Sequence, residues 1–308
     1  MSERPMVLVA GVTGMMGHKI ASALLDRDDA RVRAIVRPGG YTGEKQKQID
    51  NLRHRGVEVV EADLKRPDTL PVACGGAEVV VSAVQGVREI IVDGQTNLLQ
   101  AAESVGVKRM IPSDFGVDLF KLEPGENRNM DLRREFSQRL DDSSVAGTSV
   151  LIGSFTEMLA MGFPPLDTET GTFYVWGDGE QPMDFTTTDD TARYTAAAAL
   201  DEEAPRVLRL AGDSVTLYDL QAIFEEALDR TLERRDAGTV DDLAREIERA
   251  KQENPGGKDE IFPHWQALQY LHNMVSGRSK LLPLDNARYP GVQPTGVRDF
   301  LTRAWRPY

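Results

Sequence analysis

The sequence predicts an α/β chain: a doubly wound parallel sheet joined to a smaller, discontinuous α+β lobe. Three observations predict it. Nearly continuous, β-branched apolar runs recur through the first half, as in strands covered on both faces. Helix-like stretches separate these runs with short connections, the alternation that builds a parallel sheet. A glycine triplet stands where the first run meets its helix.

The expected strands of the first half are 6–10, 32–36, 57–61, 78–83, 108–111 and 149–152. A helix opens within 19–25. In the stretch 92–105, Leu98, Ala101, Ala102 and Val105 share one helical face, and Gly106 follows as a terminator. The second half changes character. Residues 163–182 are rich in Pro, Gly and Thr and predict loops and short strands. Thr188-Asp189-Asp190 is an N-cap region for a helix over 191–200. A strand at 207–210 is expected to return to the sheet. Helices follow at 217–230 and 240–252, and, after the break Asn254-Pro255-Gly256-Gly257, at 264–276. The expected division is a nucleotide-binding domain over 1–152, with 188–212 returning to it, and a substrate lobe made of 153–187 and 213–308.

Composition narrows the function. The chain has 308 residues and 41% apolar content, enough for a sizeable core. Lys and Arg number 36 against 49 Asp and Glu, a formal charge of −13. Such a surface repels phosphate backbones, so no nucleic-acid partner is expected. The densest basic stretch, 128–139, is interrupted by Asp131 and Glu135 and reads as a helix face. No apolar run approaches the roughly 18 residues of a membrane span, and the short polar start lacks the form of a signal peptide. Cys74, the single cysteine, has no partner for an internal disulfide, so the expected location is cytoplasmic. No metal site is expected: the four histidines, His18, His54, His264 and His272, are scattered. No Gly-x-Ser-x-Gly elbow occurs, and Gly17-His18-Lys19 lacks the ending of a phosphate-transfer loop.

Residues 7–17 read VLVAGVTGMMG. An apolar strand runs into Gly11-x-x-Gly14-x-x-Gly17 and a helix follows, the arrangement of a Rossmann dinucleotide site. Gly11 makes the tight turn. Gly14 lets the backbone approach a pyrophosphate, and Gly17 lets the helix pack on the strand. Thr13, Met15 and Met16 belong to the same cradle, whose free N–H groups suit an anion. At the end of the second strand an NAD-binding chain carries an acid for the ribose 2′-hydroxyl. Here Arg37 stands there, and a guanidinium suits a 2′-phosphate. Lys45 and Lys47 follow and add charge. The expected cofactor is therefore NADPH/NADP+. Asp63 and Leu64, after the third strand, are expected beside the adenine. Ser82, Ala83, Val84 and Gln85, after the fourth, are expected along the ribose and nicotinamide.

The fifth strand runs into VKRMIPSDFG, residues 107–116. With the glycine triplet and Val36-Arg37, this string resembles the atypical short-chain dehydrogenases of the isoflavone reductase and phenylcoumaran benzylic ether reductase type, to which NmrA-like proteins are related. That family's string is close to VKRFxPSEFG, so Asp114 stands where Glu is usual. The resemblance is fair around Gly153-Ser154-Phe155 and weaker beyond. It implies an NADPH-binding Rossmann domain, cofactor contacts that include Pro112, Ser113 and Phe155, and a substrate lying between the nicotinamide and a small carboxyl-terminal lobe.

Two departures bear on chemistry. The family's plant reductases carry a catalytic lysine on the helix after PSEFG. Here that helix reads Met130-Asp131-Leu132-Arg133-Arg134-Glu135-Phe136. Aligning Phe136 and Leu140 with the family's apolar positions puts Arg133 at the lysine's place, with Arg134 the alternative. An arginine stays protonated and is a poor general acid, but it can stabilise a developing oxyanion. The second departure is from ordinary short-chain dehydrogenases, which use Tyr-x-x-x-Lys on a helix. Tyr41 and Lys45 have that spacing only in a loop on the adenosine side. Phe115, Met158, Phe163 and His264 are candidates for a substrate wall. The resemblance thus implies a reductase that transfers hydride to a small conjugated carbonyl, imine or benzylic substrate with aromatic character. The alternative is an NmrA-like dinucleotide sensor that acts without turnover.

Overall fold

A computed structural model describes residues 4–162 and 164–304. The chain groups into two compact units. One comprises Met1–Asp114, Leu132–Val150 and Ala192–Leu208; the other comprises Phe115–Asp131, Leu151–Thr191 and Arg209–Tyr308.

The first unit is built on six parallel strands: β1 (Met6–Ala10), β2 (Arg31–Val36), β3 (Glu58–Glu61), β4 (Val79–Ser82), β5 (Arg109–Ile111) and β6 (Ala146–Gly147). Their spatial order is β3-β2-β1-β4-β5-β6. Val7, Leu8, Val9 and Ala10 of β1 are wholly buried, which explains their unbroken apolar run: a central strand has no wet face. The crossover helices are α1 (Met15–Arg27), α2 (Gly43–His54), α3 (Leu70–Cys74), α4 (Gln95–Ser104) and α5 (Arg128–Asp141). One face of the sheet packs Leu8, Val80 and Met110 against Leu98, Ala102, Phe136 and Leu140. Strand order reverses between β1 and β4, and a crevice for ligands lies at the carboxyl ends of strands at such a point.

The strand pattern was legible except at one edge. The sixth strand of the sheet is Ala146–Gly147, not 149–152. Gly147 lies so close to Leu140 of α5 that a Cβ there would meet it at 2.8 Å. The following run, β7 (Ser149–Leu151), leaves the sheet and pairs with β12 (Val207–Arg209), so the 207–210 strand does not join the central sheet. Helix α4 is preceded by a π-helical turn over Glu89–Gly94, where a continuous α-helix from 92 was expected.

The second unit contains two three-stranded sheets. One joins β8 (Ser154–Phe155), β11 (Met183–Thr186) and β13 (Asp213–Val215); the other joins β9 (Leu166–Asp167), β10 (Thr172–Trp176) and β14 (Glu233–Gly238). β14 reads ERRDAG, a charged string with no strand periodicity. It is an edge strand, held by its ladder to β10 and by Arg234 over the Tyr218 ring and Arg235 over the Tyr174 ring. The helices are α6 (Thr156–Ala160), α8 (Leu217–Leu228), α9 (Val240–Glu253), α10 (His264–Val275) and α11 (Val297–Ala304). Helix α7 (Thr188–Leu200) starts three residues before the expected 191, because Thr187 caps it. The Thr187 hydroxyl accepts from the Asp190 N–H at 3.1 Å and donates to the Asp190 carboxylate at 2.8 Å. Asp184 is a buried ion-pair partner of Lys280. Asp285 and Asn286 latch onto backbone groups of Arg209 and Ala211, which gives that stretch a structural role. Among the described residues no helix is long and apolar enough to cross a membrane.

Candidate dinucleotide site

The site is built in the first unit, at the carboxyl ends of β1, β2 and β4. The glycine loop divides its work between space and access. Gly11 has φ +89°, and a Cβ there would lie 2.5 Å from the Ala83 carbonyl oxygen, so the turn and the approach to β4 both require glycine. At Gly17 a Cβ would lie 2.3 Å from the Gly11 carbonyl oxygen, which fixes how closely α1 packs on the loop. Gly14 differs. Its φ is −95°, it is exposed, and its Cβ would meet only the Gly11 oxygen, at 3.3 Å. Gly14 thus has neither the positive φ of Gly11 nor a contact under 3.0 Å like those at Gly11 and Gly17.

Gly14 is also the N-cap of α1, and the first turn carries no acidic side chain. The opening N–H groups of a helix have no intrahelical acceptor, so an anion finds donors and the positive end of the helix dipole here. Thr13 is half-buried, Met15 exposed and Met16 buried. The residues present therefore fit a diphosphate.

Arg37 is exposed at the end of β2. Its backbone N–H donates to the Tyr41 hydroxyl at 3.3 Å, and its Nε lies 3.5 Å from the same oxygen. The bond to Tyr41 raises the guanidinium's pKa further. Burial pushes the Tyr41 phenol up, but hydrogen bonds from Arg37 and Thr13 outweigh it and leave the phenol below its ordinary value. Lys45 is exposed in the first turn of α2. Asp63 is half-exposed and folds its own turn: its N–H donates to the Thr69 hydroxyl at 3.1 Å and its carboxylate accepts the Lys65 N–H at 3.0 Å. The Leu64 side chain points into the core. Ser82 is wholly buried at the end of β4 with its hydroxyl unpartnered, Ala83 and Val84 are half-buried, and Gln85 is exposed.

The end of β5 is clamped from several sides. The buried Gln95 of α4 accepts the Ser113 N–H at 3.0 Å, and the Ser113 hydroxyl donates to the Val84 carbonyl at 2.6 Å. Pro112 is buried and its carbonyl accepts the Asp114 N–H at 2.8 Å. Arg133 is half-buried, and its Nε–H donates to the Ser113 carbonyl at 2.8 Å. Asp114 is wholly buried. One of its oxygens accepts the Ser149 hydroxyl at 2.7 Å, and the other has no partner. Burial raises its pKa against the pull of Ser149, Arg133 and Arg206. Arg206 spans Ser149 at 2.8 Å and Asp141 at 2.6 Å. Sequence reasoning placed Tyr41 in a loop on the adenosine side but not against Arg37, and this network escaped it. The signal for Tyr41 was Gly39-Gly40, which lets the loop fold back; the network joins positions far apart in the chain and left no local signal.

The remaining candidates lie in the second unit. The Gly116 carbonyl accepts the Ile152 and Gly153 N–H groups at 2.9 and 3.1 Å, which sets the Phe115 segment beside that of Phe155. Phe115, Phe155 and Met158 are half-buried. His264 is exposed at the start of α10, a helix tied through Gln266 and Gln269 to Asn127 and Arg128. Phe163 lies outside the described residues. Cys74 is buried and its thiol is pushed up to about 11, which makes it no nucleophile. Among the described residues no group of three His, Cys, Asp or Glu side chains could hold a metal.

A family model described as the NmrA-like family matches residues 3–254. The chain belongs to that family. Its relatives include a bifunctional pinoresinol-lariciresinol reductase of Linum perenne, 28% identical with 96% of this chain and 97% of the relative covered. A phenylcoumaran benzylic ether reductase of Pinus taeda is 27% identical over 76% of this chain and 78% of its own. Among solved structures, AtPrR2 with NADP+ and (+)pinoresinol superposes with a TM-score of 0.82 at 24% identity, covering 99% of this chain and 100% of the other. The leucoanthocyanidin reductase–NADPH complex from Vitis vinifera gives 0.79 at 24% identity, with 97% and 99% covered. The NmrA-like chain therefore has the Rossmann-type α/β fold of those reductases.

Proposed function

We propose that this NmrA-like chain is an NADPH-dependent oxidoreductase, a reductase whose acceptor is a small molecule with aromatic character and a conjugated carbonyl, imine or benzylic centre. The observation that carries the reading is the pairing of an open Gly14 backbone with an exposed Arg37 at the end of β2. The relatives' names support the reductase class and the aromatic acceptor, and the NADP+ and NADPH complexes of two neighbours support the cofactor.

When bound, the reduced nicotinamide supplies a hydride. The chain's own residues bind and orient. The N–H groups of Gly14, Met15, Met16 and Gly17 hold the diphosphate. Arg37 and Lys45 hold the ribose phosphate, and Thr13 and Asp63 flank the adenosine end. Ser82, Ala83, Val84, Gln85, Pro112 and Ser113 form the edge toward the nicotinamide. Arg133 keeps a fixed positive charge at the end of β5 and stabilises negative charge developing on the acceptor. It does not give up a proton, so water or a substrate hydroxyl supplies it. Phe155 is a proposed cofactor contact, and Phe115, Met158 and His264 are the proposed contacts to the acceptor. The test is NADPH consumption across a panel of enones, quinones, imines and benzylic ethers. Oxidation that falls in Arg37→Glu at sub-saturating NADPH supports the reductase.

One observation favours a second reading. The residue at the family lysine's place spends its Nε–H on a backbone carbonyl, as a dinucleotide sensor without turnover would permit. Tight binding of both NADP+ and NADPH with no consumption across the panel selects that reading.

A further inference from the structure

Tyr41 stands four residues beyond Arg37 and folds back onto it. Gly39 and Gly40, at φ +96° and +77°, carry the chain through left-handed conformations. A Cβ at either would meet nothing within 4 Å, so these glycines serve the direction of the chain and not its packing. As a result one phenol oxygen meets the Arg37 N–H at 3.3 Å and the Arg37 Nε at 3.5 Å. That oxygen ties the loop after β2 back onto the strand's end. If the NADPH reading above holds, this is one wall of the place where the phosphate on the adenosine ribose is recognised.

We infer that the Tyr41 hydroxyl is a specificity-determining group that aims the Arg37 guanidinium and donates its own proton to the ribose 2′-phosphate. The chemistry favours an anion over a bare hydroxyl. A phenol that accepts hydrogen bonds from Arg37 becomes a stronger hydrogen-bond donor, and donation to a charged acceptor is the stronger kind of bond. A carboxylate at this position would repel the phosphate; a neutral phenol does not. An aimed guanidinium also loses less rotamer freedom when the anion arrives.

The inference rests on the NADPH reading, and the experiment separates the two. Adenosine 2′,5′-diphosphate and 5′-AMP, which differ only in the 2′-phosphate, are titrated calorimetrically into wild type, Tyr41→Phe and Gly40→Ala. Wild type is expected to prefer the diphosphate. Tyr41→Phe is expected to weaken the diphosphate by about threefold to tenfold, the size of one hydrogen bond, and to leave 5′-AMP unchanged. Gly40→Ala, which strains the turn at φ +77° that returns Tyr41 and meets no neighbour within 4 Å, gives a loss of the same sign and carries the test if Tyr41→Phe does not fold. An unchanged or tightened diphosphate, or equal losses for both ligands, overturns the role of Tyr41 while leaving the NADPH reading intact. A wild type with no preference overturns both.

Discussion

Arg37 and Arg133 carry opposite kinds of charge-work. Arg37 is exposed and aimed by one phenol, so its charge is available to a ligand. Arg37→Glu is expected to weaken NADPH by roughly tenfold to a hundredfold, the size of a lost hydrogen bond to a charged group, with NADH unchanged or improved; competitive titration reads this directly. Arg133 is tied to the Ser113 carbonyl and so acts at the end of β5. Arg133→Gln is expected to lower turnover by roughly a hundredfold while the NADPH dissociation constant stays within about twofold. Stopped-flow turnover and equilibrium titration of the same preparation separate the two effects. The glycine triplet and Arg37 were legible because each job is done by backbone or charge next to a recognisable strand end. Tyr41 was not, because its role depends on where a loop comes back. Asp114 was visible only as a departure from a family string; its partner Ser149 lies across the sheet's edge.

At the scale of the element, the turn from β1 to α1 makes a distinction that two small substitutions test. Gly17→Ala would place a Cβ 2.3 Å from a backbone oxygen. It is expected to cost about 3 kcal/mol and to lower the melting temperature by at least about 5 °C. Gly14→Ala meets its nearest neighbour at 3.3 Å in an ordinary backbone conformation. It is expected to leave the melting temperature within about 2 °C and to abolish dinucleotide binding. Calorimetric melting of both variants with and without NADPH checks the pair. Elements with strong apolar periodicity were legible: β1, β2, β4 and α8 to α10 lie where their patterns put them, within a few residues at the ends. β14 was not, because an edge strand reads its ladder from backbone and needs no alternation. The sixth strand was misplaced because Gly147 gives no strand signal, although the Leu140 side chain of α5 packs over it.

Across the whole molecule, buried charge sets how stability responds to pH. The folded state holds Asp114 with a raised pKa, chiefly through burial. Protonation is therefore tighter folded than unfolded. The stability this lends is complete below the ordinary carboxylate range and is lost as pH rises through the raised folded value, with a slope of at most about 1.4 kcal/mol per pH unit. Asp114→Asn is expected to flatten that part of the profile, measured as denaturation midpoint against pH. Bound cofactor acts in the other direction: NADPH at a hundred times its dissociation constant stabilises the protein that binds it by about 2.7 kcal/mol. The measurement that bears most directly on the central claim is calorimetric titration of NADPH and NADH into wild type and Arg37→Glu, at one ionic strength. The expected result is tighter NADPH than NADH in wild type, with the preference lost or inverted in Arg37→Glu. No heat with either cofactor, or a preference for NADPH that survives in Arg37→Glu, would contradict the assignment of the glycine loop and Arg37 as the dinucleotide site.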